Sequence, residues 1–143
     1  MECKMKSLIK DNVHVVVLSR GEEILKTLTD YITENNLKAG VIKGIGALKD
    51  ITIGYYDLEK QDYMRKSVQP SCELLNFLGN ISLVDGKPFI HAHVILTKPD
   101  FTLEGGHLFS GIVSVTGEIY IYPLEHEINR SFDDEVKLNL INL

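Results

Sequence analysis

Asp85-Gly86-Lys87-Pro88-Phe89-Ile90-His91-Ala92-His93-Val94-Ile95-Leu96-Thr97 is the stretch whose pattern sets the fold. Asp-Gly is a tight-turn signal, because glycine supplies the positive φ such turns need. Beyond the turn, Ile90, Ala92, Val94 and Leu96 alternate with His91 and His93. Side chains two apart on a strand share a face, so Pro88 to Thr97 reads as a strand with an apolar face and a histidine face. Upstream, Cys72 to Phe77 and Asn80 to Val84 are short apolar stretches broken by Gly79. Downstream, Gly105-Gly106-His107-Leu108 opens a run to Tyr122, with the glycines expected to let the chain turn before the partner strand. These segments form an antiparallel set.

Toward the N-terminus, Val13 to Leu18 suits a buried strand. Ser19-Arg20-Gly21-Glu22 has capping-box spacing. Ile24, Leu25, Leu28, Tyr31 and Ile32 then recur on one helical face, and Asn35-Asn36 is a plausible stop. Gly40 to Leu48 and Ile51 to Leu58 are expected to form a hairpin across Lys49-Asp50. Tyr63 to Val68 alternates apolar and charged residues, as an edge or half-exposed strand would. One helix among many sequential strands predicts an α+β fold: a single compact domain over 1–143, with a highly twisted antiparallel or mixed sheet, barrel-like, packed with one main helix. The core is expected over about 8–125. The acidic C-terminal tail, 126–143, has no clear pattern beyond a short strand expected at Glu135 to Leu140.

The 143 residues suffice for one core without covalent staples. Cys3 and Cys72 make no spaced framework, so free thiols in the cytoplasm are the simplest reading, with one disulfide as the alternative. The first ten residues lack the apolar segment of a signal peptide, and no apolar run is long enough to span a bilayer. Net charge is −5, with Lys and Arg scattered singly. That counts against strong non-specific nucleic-acid binding, which needs a basic cluster.

His91 and His93 project together roughly 6.5–7 Å apart along the strand. Two such imidazoles can lean toward one ion, and His107 on the neighbouring strand is placed to join them. A three-histidine set leaves a coordination position open to a ligand, and zinc is the default ion, with other divalent transition metals as alternatives. Glu104 lies close to His107 in sequence as a fourth ligand or a general base, although loop carboxylates are more often simply solvated. Glu73 and Asp100 warrant the same caution, and His14 and His126 lack a partner spacing. Lys43-Gly44-Ile45-Gly46-Ala47 lacks the third glycine of a dinucleotide loop, and no helix follows. Glu73 beside Cys72 is expected to raise the thiol pKa and keep it from acting as a nucleophile.

Several segments, in order, resemble the plants-and-prokaryotes-conserved (PPC) domain. They are Gly21-Glu22-Glu23-Ile24-Leu25, Ala39 to Ala47, Gly54-Tyr55-Tyr56-Asp57, Leu78 to Ser82, Asp85 to His93 and Gly105 to Leu108. The resemblance covers roughly residues 8 to 125. It implies an antiparallel sheet packed with a helix, assembly into homotrimers and, in some members, a metal held at the positions of His91, His93 and His107. In plants the domain is joined to AT-hook segments, and stand-alone prokaryotic members carry a DNA-binding label by that association. No Arg-Gly-Arg core occurs here; Arg20-Gly21-Glu22 lies at the helix start. Three functions follow as expectations. The first is a trimeric metal-binding module for a small ligand or regulatory partner. The second is a DNA-binding, transcription-associated protein. The third is a metal hydrolase or lyase with Glu104 as base.

Overall fold

The computed structural model describes residues 4–143, so Cys3 lies outside the described residues. Helix α1 spans Ile24–Glu34, and Ile24, Leu28, Tyr31 and Ile32 form its buried stripe. Its N-cap is Glu23, whose carboxylate accepts from the Lys26 N–H at 2.6 Å. The Glu22 carboxylate reaches back to the Ser19 N–H at 2.7 Å, so that half of the expected capping box forms just ahead of the helix. The stop falls where the asparagines stand: Asn36 has φ 53°, and the Asn35 amide donates to the Tyr31 carbonyl.

Among the described residues nine strands accompany the helix: β1 Lys6–Lys10, β2 Val13–Leu18, β3 Gly40–Asp57, β4 Asp62–Val68, β5 Cys72–Val84, β6 Lys87–Thr97, β7 Leu103–Pro123, β8 Asn129–Asp133 and β9 Leu138–Asn142. Asp85 (φ 49°) and Gly86 (φ 76°) make the two-residue turn that registers Val84 against Lys87 between β5 and β6. Antiparallel pairing of β3 with β5, β5 with β6, β6 with β7 and β7 with β3 closes a four-strand circuit. β2 extends the sheet from β7, β1 from β2, and β4 lies as an edge on β3 alone. The β5–β8 contact is parallel, so the single sheet is mixed and the class is α+β.

Phe77, Leu96, Ile42 and Ile119 of the sheet are fully buried in one core with Leu28 and Ile32 of α1. Each such side chain contributes roughly 1.5–3 kcal/mol of burial. Among the described residues no helix is long and apolar enough to cross a membrane.

Four local expectations change. Lys49-Asp50 is not a hairpin turn: β3 runs through it, and Asp50 (φ 50°) accompanies a register shift against β7. An extra residue bends a strand without ending it. Gly79 does not break β5, which is continuous. Gly105 and Gly106 lie inside β7 and make no turn. At Gly106 a Cβ would sit 2.6 Å from the Gly54 carbonyl oxygen, so glycine permits the close approach of β3. The segment after 125 forms β8 and β9 in place of one strand at 135–140. The Tyr56 hydroxyl donates to the Val136 carbonyl and ties this hairpin to β3.

Candidate functional site

The alternation of β6 turns Ala92, Val94 and Leu96 into the core and leaves His91 and His93 on the other face. His107 of β7 is the direct cross-strand partner of His93. The three rings therefore meet, with centroids 5.0, 5.2 and 5.7 Å apart. One ring nitrogen from each lies within 4.8 Å of the others. The His91 and His93 Nε2 atoms are 3.2 Å apart, near the roughly 3.4 Å edge of a tetrahedron with ~2.1 Å metal–nitrogen bonds. Among the described residues the set is all-imidazole, with no carboxylate or thiolate in the cluster.

At His91 and His107 burial favours the neutral ring, the form that ligates a metal. His107 is pushed down to about 4, first by burial and then by His91, His93 and Arg65. His91 is lowered by burial, then by His93 and Arg130. The Tyr63 hydroxyl lies 3.4 Å from His107 Nδ1, and Phe109 packs against the same imidazole with centroids 4.7 Å apart. Such a partner on one ring nitrogen orients the other. Donor type, spacing and protonation all fit a transition-metal ion.

Two clefts open beside the histidines. One, of about 680 Å³, is bounded by Leu78, Asn80, His91, His93 and Ile95. The other, of about 370 Å³, has Tyr63, His91, His107 and Phe109 on one side and Arg130 and Leu140 on the other. The sequence reading missed Tyr63 and Arg130, since neither stands at a telling spacing from the histidines.

Glu104 is not in the cluster. It is an odd number of residues from His107 on a regularly paired stretch of β7, so the two side chains leave opposite faces. Its carboxylate accepts from Lys66 Nζ at 2.8 Å and faces Lys98 at 3.6 Å, and these cations hold it below the usual carboxylate range, the Lys66 hydrogen bond first. Asp100 accepts from the Thr102 N–H and hydroxyl, a turn contact. Glu73 and His126 are exposed. His14 is buried on the Tyr31 hydroxyl at 2.9 Å. Cys72 is a buried free thiol raised mainly by burial; Glu104, not its neighbour Glu73, is the carboxylate that adds to the effect. Gly44-Ile45-Gly46 lies within β3 and opens no helix.

The Plants and Prokaryotes Conserved (PCC) domain model matches residues 5–125. Among solved structures, the chain is similar to a metal-containing protein of Archaeoglobus fulgidus (34% identity, all of both chains, TM-score 0.87). It is similar to a plant- and prokaryote-conserved protein of Pyrococcus horikoshii (31% identity, 96% of this chain and 95% of that one, TM-score 0.85). A third, from Bacteroides thetaiotaomicron and described as a "putative DNA binding protein", shares 26% identity over 98% of each chain, with a TM-score of 0.94. No curated protein matches.

Proposed function

The chain belongs to the Plants and Prokaryotes Conserved domain family, and from that premise we propose that it is a metal-binding module of the cytoplasm, using His91, His93 and His107 to hold one divalent transition-metal ion, zinc by ligand type. The observation that carries this reading is the convergence of three imidazole nitrogens within 4.8 Å of one another. Similarity to the metal-containing Archaeoglobus protein supports it. An ion held there supplies an electrophilic centre that a small ligand can approach.

The module works as a homotrimer, in keeping with the family resemblance. Val41, Ile45, Leu78, Ile95, Val115 and Tyr120 are exposed apolar side chains of a kind that a second copy would cover, which supports this assembly. Sedimentation equilibrium tests it; a monomer mass ends it. Elemental mass spectrometry of untagged protein tests the metal. One ion per chain, lost in His91→Ala/His93→Ala, is expected. No metal after incubation with zinc would reduce the 3.2 Å His91–His93 contact to an ordinary hydrogen bond between imidazoles.

The second reading is DNA binding, supported by similarity to the Bacteroides protein. A net charge of −5 opposes it. Fluorescence anisotropy with duplex DNA decides: affinity that falls steeply with added salt would favour it, and no binding at low salt would end it.

A further inference from the structure

The 370 Å³ cleft beside the histidines is walled on one side by the C-terminal hairpin, which lies beyond the family-matched residues 5–125. Among the described residues, Arg130 is the one cationic side chain, histidines aside, in its lining. Among the described residues it has no carboxylate within salt-bridge distance. Its partners are neutral: Nε donates to Ser82 Oγ at 2.7 Å, Nη2 to Asn80 Oδ1 at 2.9 Å and Nη1 to the Asn139 carbonyl at 3.0 Å. A guanidinium has five N–H groups, so two remain free. Ser82 is fully buried, which fixes the plane of the fork before any ligand arrives.

The charge balance is one-sided. Three neutral imidazoles would leave a bound dication with its full charge, Arg130 adds another, and among the described residues no acidic side chain lines either cleft at the histidines. Cationic groups held in a partly desolvated cleft favour a counter-anion. The remaining wall is mostly aromatic and aliphatic, with Phe89, Phe109 and Leu140, and Tyr63 and Asn139 add polar groups. A carboxylate on an apolar body suits this wall better than a dianionic phosphate, which has no apolar part to set against Phe89, Phe109 and Leu140.

We propose that Arg130 and the histidine centre together bind the carboxylate of a small molecule whose apolar body lies against Phe89, Phe109 and Leu140. This rests on the metal-binding reading above.

Isothermal titration calorimetry of benzoate into zinc-loaded protein tests it, with zinc content measured on every sample. Wild-type protein is expected to bind benzoate more tightly than acetate or inorganic phosphate. Arg130→Gln should weaken benzoate binding about tenfold or more while zinc content holds. Arg130→Lys, which keeps the charge without the fork, should fall between. Unchanged binding in both variants, or a preference for phosphate, overturns the proposal. Loss of zinc from both variants also overturns it, because Arg130 is then a structural brace. If wild-type protein takes up no zinc, the metal reading fails, and titration of the metal-free protein isolates the Arg130 site. Benzoate heat abolished by Arg130→Gln would sustain that site alone, and no heat would overturn it too.

Discussion

His14 and His107 each lie against a tyrosine, yet one is a core residue and the other joins a cluster of three histidines. His14 is 6% exposed, and its Nδ1 meets the Tyr31 hydroxyl at 2.9 Å. No second titratable ring joins it among the aromatic contacts, so one hydrogen bond completes its surroundings. His107 meets Tyr63 at the looser distance of 3.4 Å and also faces His91 and His93. Burial lowers the pKa of both histidines, so depressed basicity does not separate them. What separates them is convergence: His107 meets two further imidazoles at one point, an arrangement that an ion between them would stabilise.

The largest expected effect breaks that convergence. His91→Ala/His93→Ala should abolish metal binding, whereas Tyr31→Phe should leave metal content untouched; elemental mass spectrometry reads both. Thermal melts with excess zinc should separate them too, since ligand at a hundred times its dissociation constant stabilises by about 2.7 kcal/mol.

Acid is next. In metal-free protein, both histidines titrate lower when folded than when unfolded, so the unfolded chain takes up protons first. Stability should be full above about pH 6.5, the unfolded value. It should fall as pH drops toward the folded value of about 4 for His107. Urea midpoints across that window check the sign, and His107→Asn should flatten the slope more than any change at Tyr31.

The tyrosines sharpen the contrast further. Tyr31→Phe should cost about 1–3 kcal/mol in urea unfolding, because it strands a buried imidazole nitrogen. Tyr63→Phe should cost less stability but weaken zinc affinity by roughly 10-fold, as loss of an orienting partner does. A metal-binding titration against a competing chelator measures it. The smallest effect is expected from Glu104→Gln: metal content unchanged and only a slight shift in melting temperature, because the carboxylate serves Lys66 and Lys98.

The sequence was most legible where periodicity and turn chemistry are local. Helix α1 could be read from its apolar stripe, the β5–β6 hairpin from Asp85-Gly86, and the shared face of His91 and His93 from their spacing. Legibility failed where one residue type admits two geometries. Asp50 has the positive φ of a turn, but it occupies a strand irregularity because β7 continues alongside β3. Gly105-Gly106 promised a turn and delivered close strand packing. Arg130 was invisible for another reason: its anchors, Ser82 and Asn80, are 48 and 50 residues away, and its strand carries no alternating apolar pattern.

The turn at Asp85-Gly86 also bears on the order of events as the chain folds. Strands joined by two residues pair in microseconds, long before pairings that close large loops. His91 and His93 therefore share one local hairpin, whereas His107 needs the pairing of β7 with β6, and Arg130 needs the pairing of β8 with β5. Gly86→Ala, strained at φ 76°, should accordingly slow refolding more than it speeds unfolding, which stopped-flow traces at matched denaturant would reveal. A newly made chain would then offer a metal ion two imidazoles before the wall that shapes the ligand cleft exists.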